Sequence, residues 1–274
     1  HAAAAAGQWL IDNPENTDFR NPEGCNTGEY NDDDDTDERL WAFAELLRTD
    51  KDVKNENDHS MTSGMIQSSG RYDIYRRKTE ELFDRYRKKS VHADGRAVDD
   101  GFGWSDVSSL AIIALVFDGD SGKGNPVIDK ALNMLYERAD AFLDMQHNSG
   151  YNVAMTAEDF VWGSNMVVTN RSDLLICASL AAMTAGDGND KAAEYEAAAL
   201  EQLHYICGRN AMDVSYVTGF GEHAFMHPHN RTCASDGIER PIPGEVSGGP
   251  CHPPVDERAK ELVPAGTAPM KCYA

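Results

Sequence analysis

Positive charge is scarce in this chain of 274 residues: 25 Lys and Arg stand against 46 Asp and Glu, for a formal net charge of −21. Nucleic acids and anionic membrane surfaces are held by clustered cations, so neither is expected as a partner. Long apolar runs are also missing. The longest, Leu110 to Phe117, falls far short of the roughly 20 residues that cross a bilayer. No stretch of alternating polar and apolar residues is long enough to predict a sheet. The six cysteines contain no Cys-x-x-Cys pair, which removes the standard zinc and dithiol spacings. Cys177 and Cys207 lie in apolar helical patterns and are read as buried small side chains. Cys233, Cys251 and Cys272 fall in a loop-rich tail, with His252 beside Cys251, where a zinc site and a disulfide both stay open. No secretory signal pattern opens the chain. His1 is followed by five alanines and by Gly7 to Asn13, read as a helix ending before Pro14. Both ends read as cuts through a larger domain.

What is present is mostly helical periodicity. Asp37 to Asp50 carries Leu40, Trp41, Ala44 and Leu47 at helical spacing behind an acidic first turn. Arg71 to Ser90, Asn125 to Gln146, Ser172 to Ala185 and Asp190 to Cys207 follow the same rule, and Ser105 to Phe117 is apolar nearly all round, as a buried helix would be. Ala185 to Asn189 marks a helix stop. Lys51 to Gly70 is polar and expected to be an exposed insertion. After Gly208 the helical pattern ends, and the remainder holds most of the prolines; a long structured loop in a compact domain is usually functional.

Two constellations stand out. Ser215 to Arg231 gathers two glycines, three histidines (His223, His227, His229) and Arg231 with no regular periodicity. His229 and Arg231 sit two apart, so an extended backbone would point both to one side. Imidazole beside guanidinium suits a carboxylate, a phosphate or a row of sugar hydroxyls. His227 divides between ligand contact and loop packing, and Trp162 between a stacking platform and core. Asn230-Arg231-Thr232 also spells a glycosylation acceptor. The second constellation is Thr27 to Glu38. Its dense oxygens suit a hard cation such as Ca²⁺, or equally a solvated helix start favoured by the dipole. It is not an EF-hand, because Asp37 stands where the loop glycine would be when counting from Asp32.

The motifs YICGRN (205–210), SYVTGFG (215–221), MHPHNR (226–231), ASDG (234–237), PIPG (241–244) and SGGP (247–250) run in an order that resembles glycoside hydrolase family 9. FVWGSN (160–165) and the Asp37-Glu38 to Leu40-Trp41-Ala42 stretch extend the resemblance over the whole chain apart from Lys51 to Gly70. His223 departs from it, standing where the family usually has Asn, Lys or Arg. The resemblance implies an all-α fold, the (α/α)6 barrel, incomplete here. Residues 1–274 would form the C-terminal portion of a single catalytic domain. The implied activity is hydrolysis of β-1,4-glucosidic bonds in cellulose or related β-glucans with inversion, by an endoglucanase or a cellobiohydrolase. Inversion uses a general base and a general acid. The family's Asp-Ala-Gly-Asp base motif is absent here, and its late Asn-Glu acid motif would begin past Tyr273. The chain alone is therefore expected to be inactive, and an inactive carbohydrate- or calcium-binding fragment is the other reading. By the same resemblance His229 and Arg231 serve catalysis at the sugar beside the scissile bond, and His227, Trp162 and Tyr216 bind substrate. Thr27, Gly28, Asp37, Glu38 and the distant Asp106 would hold a structural Ca²⁺. The resemblance further implies a secreted, monomeric catalytic domain with no organic cofactor.

Overall fold

A computed structural model describes residues 2–16, 20–25, 34–59, 70–89, 101–103, 106–117, 125–185 and 189–272. Those residues are helical or irregular; they contain isolated bridges but no strand. The chain divides into two compact units, His1–Leu135 and Tyr136–Ala274.

In the first unit, α1 (Ala2–Asp12), α2 (Thr36–His59), α3 (Arg71–Lys89) and α4 (Ser108–Val116) precede the opening turns of α5 (Pro126–His147). The apolar positions of α2 at helical spacing, Leu40, Phe43, Ala44 and Leu47, are all buried, because α3 and α4 both pack on that helix. Phe43 meets Tyr75 of α3 with ring centroids 6.0 Å apart. Gly7 lets α1 lie close to α2: a Cβ there would come within 2.7 Å of the Leu46 side chain. Arg39 fixes the approach, donating to the Leu10 carbonyl at 3.0 Å and pairing with Asp35 at 2.7 Å. The apolar segment read as a buried helix is α4, where Ala111, Ile112, Ala114 and Leu115 are buried. Helix α2 continues through Lys51 to His59, into the stretch expected to be an insertion; 60–69 lie outside the described residues.

The second unit holds the rest of α5, a 3₁₀ turn at Ala157–Asp159, α6 (Ser164–Ala185), α7 (Asn189–Ile206), and the short α8 (Arg231–Ser235) and α9 (Glu257–Leu262). Helices α6 and α7 pack on each other. Val153, Val168, Tyr205, Ile206 and Tyr216 form a buried cluster against which Met155, Val217 and Met270 rest. A buried amide pair ties α7 to its surroundings: Gln202 donates to Gln146 at 2.8 Å and accepts from the Ala154 N–H at 2.8 Å.

Three expectations need correction here. Helix α6 begins at Ser164, eight positions before Ser172 in the numbering, because its first turn is satisfied by a remote loop. The Asn165 N–H donates to Gly248 O at 3.1 Å, the Asn165 side chain to Ser247 O at 2.9 Å, and Ser164 Oγ to Pro250 O at 2.6 Å. The tail after Gly208 is not free of helix, since Asn230 and Asp256 cap α8 and α9. Cys177 and Cys207 are only half-buried, whereas Cys251 and Cys272 are buried and joined through their backbones, Cys251 N–H to Cys272 O at 2.8 Å.

Candidate functional site

The loop from Ser215 to Arg231 is built on backbone hydrogen bonds. Ser215 N–H donates to His223 O at 2.9 Å, and Phe225 N–H to Ser215 O at 2.8 Å, so the glycine-containing segment folds back on itself. Gly219 takes φ +71° against Pro243, whose Cβ lies 3.0 Å from where a side chain would start, so no larger residue fits there without displacing the proline. Tyr216 N–H reaches Ile206 O at 2.8 Å, Thr218 N–H reaches Glu245 O at 2.9 Å, and Ser247 N–H reaches Tyr216 O at 2.8 Å. These bonds tie the end of α7, the loop and the Ile242–Ser247 segment together. Asn210 is the internal staple. Its buried amide donates to Tyr205 O at 3.0 Å and Val214 O at 2.8 Å, and accepts from Met212 N–H at 3.1 Å.

On this frame the side chains of His227, His229 and Arg231 are exposed. Arg231 opens α8 rather than continuing an extended strand, because Asn230 is the helix cap and accepts from Thr232 N–H at 2.8 Å and Cys233 N–H at 3.3 Å. Asn230 N–H also donates to Pro228 O at 2.7 Å, so the chain bends at His229 and the extended run assumed from the sequence is not formed. The Asn230 amide nitrogen also donates to Glu245, so the nitrogen of the glycosylation triplet is engaged within the fold. His223 contacts Asp213 at 2.9 Å through Nδ1. Trp162 is 70% exposed, so it is not core. The Ser164–Asn165 links to Ser247 and Pro250 fasten its segment to the same frame. Tyr216 is different. It is fully buried, its ring 5.9 Å from that of Tyr205, so the expectation that it touches substrate is corrected: its role is packing. Sequence reasoning assigns no role to Asn165, Asn210 or Glu245. Asn165 and Asn210 close the FVWGSN and YICGRN motifs, which was the signal that could have found them, whereas Glu245 lies outside every motif.

A second polar network lies at the turn that precedes Trp162 in the chain. Asp159 accepts two parallel bonds from Arg171, at 2.7 and 2.8 Å, and a third from Thr156 N–H at 2.7 Å, while Arg171 also donates to Ala154 O at 2.6 Å. Burial pushes the Asp159 carboxyl up, but the Arg171 bonds and charge and the Thr156 donors outweigh it and hold it below the ordinary carboxylate range.

In the first unit Asp37, Glu38 and Asp106 come together at the start of α2. Asp37 is buried and accepts from Val107 N–H at 2.6 Å. Asp106 accepts from Tyr86 OH at 2.7 Å and Ser108 N–H at 2.8 Å. Burial, supported by the charge of Asp106, raises the Asp37 pKa against the pull of the Val107 N–H and Glu38. Hard oxygen donors crowded by like charge are the chemistry a calcium ion relieves. Among the described residues, however, no three acidic, histidine or cysteine side chains are arranged to hold a metal, and Thr27 and Gly28 lie outside them.

Fold and site together define an all-α chain of the (α/α)6 barrel class, incomplete, with a polar, hydrogen-bonded loop wall at one unit. The profile of glycosyl hydrolase family 9 matches residues 1–274, and the chain belongs to that family. A cellodextrinase of Butyrivibrio fibrisolvens is 35% identical over 268 residues, covering 98% of this chain and 44% of that protein. Endoglucanase D of Acetivibrio thermocellus is 30% identical over 256 residues, covering 93% of this chain and 35% of its own length. Among solved structures, AaCel9A in complex with cellobiose-like isofagomine superposes with a TM-score of 0.76 at 30% identity, covering 100% of this chain and 44% of its own. A thermostable endoglucanase from Alicyclobacillus acidocaldarius gives 0.74 at 29% identity with the same coverage. The chain thus spans less than half the length of these relatives, consistent with the C-terminal part of a catalytic domain.

Proposed function

We propose that the protein to which this chain belongs hydrolyses β-1,4-glucosidic bonds in cellulose or related β-glucans by inversion, and that this chain supplies the wall that positions substrate. The observation that carries the reading is the pinned Ser215–Arg231 loop presenting His227, His229 and Arg231 to solvent in a family 9 chain. Imidazole and guanidinium donors can hold sugar hydroxyls and stabilise charge that develops at the ring in the transition state. Exposed Trp162 offers an apolar face for a pyranose. The two carboxyl groups that inversion needs would come from outside this chain. The names of the relatives, a cellodextrinase and an endoglucanase, support the substrate class.

A calcium ion shared by Thr27, Gly28, Asp37, Glu38 and Asp106 is part of the proposal, supported by the crowded carboxylates at the start of α2. Its contribution would be to neutralise them and fix that helix end. Secretion and a monomeric catalytic domain complete the reading. The test is His229→Ala in the complete catalytic domain. Loss of one transition-state donor costs about 10²-fold or more in kcat, with the melting temperature unchanged because the side chain is exposed. An unaltered kcat on cello-oligosaccharides would refute the role. Release of reducing sugar by the isolated chain would refute the assignment of the carboxylates to outside it.

A further inference from the structure

The sequence leaves Cys233, Cys251 and Cys272 open between a zinc site and a disulfide, and the fold divides them. Cys233 has its own surroundings: its sulfur accepts from the Ile242 N–H at 3.5 Å and meets Glu245 at 3.9 Å. The His252 side chain is exposed. The remaining pair is therefore short of the four ligands that a structural zinc takes, and among the described residues no three histidine, cysteine or acidic side chains are arranged to hold a metal.

Cys251 and Cys272 are 2% and 0% exposed. Their main chains are joined, the Cys251 N–H donating to Cys272 O at 2.8 Å. Residues paired by such a bond have α-carbons about 5.5 Å apart, inside the roughly 4.4–6.8 Å that a disulfide spans. The sulfurs are neighbours too. Burial pushes the Cys251 thiol up, the Val255 N–H pulls it down, and the charge of a Cys272 thiolate pushes it up again. No strong acceptor competes for either thiol. Cys251 donates to Pro253 O at 3.6 Å, and Cys272 to Ala268 O at 3.4 Å and Thr267 O at 3.8 Å; a thiol is a weak donor.

A cross-link here would join two parts of the second unit. Pro250 O accepts from Ser164 Oγ at 2.6 Å and His252 N–H donates to Phe160 O at 2.7 Å, so Cys251 sits in the clamp on the start of α6. Cys272 ends the segment that carries α9, a helix with no buried residue. We propose that Cys251 and Cys272 form a disulfide that ties the α9 segment to the α6 clamp. Two S–H bonds break and one S–S bond forms, while two electrons and two protons pass to a disulfide oxidant that leaves as two thiols. Both sulfurs are covered in the folded chain, so the bond closes as the chain folds, in an oxidising compartment. The proposal does not depend on the glucan reading, and its test contains no substrate.

The protein is produced in a bacterial periplasm, purified without reductant, alkylated in denaturant and cleaved after glutamate. Cys251 then lies in Val246–Glu257, Cys233 in His223–Glu239, and Cys272 in the fragment that starts at Leu262. Mass spectrometry should find the Cys251 and Cys272 fragments joined, and dithiothreitol added before alkylation should separate them. Closing a loop of about 20 residues should raise the melting temperature by roughly 6–13 °C. Dithiothreitol should remove that increment from the parent and change nothing in the double variant Cys251→Ala with Cys272→Ala. Recovery of both cysteines alkylated would overturn the proposal, and zinc co-purifying with them would assign the pair to a metal instead. Either cysteine joined to Cys233 would overturn it as well, as would a dithiothreitol effect equal in the parent and the double variant. The fragment map needs no substitution, so it decides even where a variant does not fold.

Discussion

Replacing Asp159 by Ala tests how much the ion pair with Arg171 stabilises the second unit. The pair is buried, with the Arg171 side chain 7% and the Asp159 side chain 16% exposed. Removing the carboxylate deprives a desolvated guanidinium of its counter-charge and the Thr156 N–H of its acceptor. Breaking one side of such a pair costs about 3–5 kcal/mol. For a chain of this size each kcal/mol is worth roughly 2–4 °C, so the melting temperature should fall by roughly 6–20 °C. Differential scanning calorimetry at neutral pH measures it. Removing both charges together, as Asp159→Leu with Arg171→Leu, should cost less than the single change, because no buried charge is left unpaired. The pH dependence has a fixed sign. The folded Asp159 pKa lies below the unfolded value of about 3.9, so the stabilisation is full above that value and is lost as pH falls through the folded one. A melting temperature within about 2 °C of the parent for Asp159→Ala, on the scale of less than one kcal/mol, would refute the reasoning.

Gly249→Ala should destabilise by about 1–3 kcal/mol, because the new Cβ would meet Asn165 Cγ at 2.6 Å and Ser164 Oγ at 2.7 Å with φ at +89°; an unchanged urea midpoint would count against the docking of α6 on that loop. Asn210→Ala leaves the carbonyls of Tyr205 and Val214 without the amide that caps them, at about 1–3 kcal/mol. The amides of Ser215 and Phe225 should then exchange hydrogen faster by mass spectrometry, and parent-like protection would show that the staple is dispensable. Chelation with EGTA should lower the melting temperature, and Asp37→Asn should make the protein insensitive to the chelator. A melting temperature indifferent to EGTA would remove calcium from the proposal.

The helices were legible because their signal is local. Leu40, Ala44 and Leu47 recur on one face of α2, and that spacing survives in the folded chain. The start of α6 was not legible, because the atoms that satisfy its first turn belong to Ser247, Gly248 and Pro250, far along the sequence. Tyr216 shows the same limit from the other side. Its place within the SYVTGFG string says nothing of whether its ring faces water, and only the packing of Tyr205 and Ile206 around it decides that. His227, His229 and Trp162 could be singled out as chemically able, and the fold leaves all three accessible. Asn210 and Glu245 act through hydrogen bonds to backbone and to Asn230, a role that no residue type advertises on its own.

The Ser215–Arg231 loop takes its shape from main-chain bonds and from Asn210, and the outward side chains contribute little to it. Shape and surface chemistry are therefore separable there. Phe220 and Glu222, both exposed, can be exchanged, as in a combinatorial library, without refolding the platform, whereas Gly219 and Asn210 cannot. That makes the loop a scaffold whose outward chemistry can be rewritten while its backbone is left untouched.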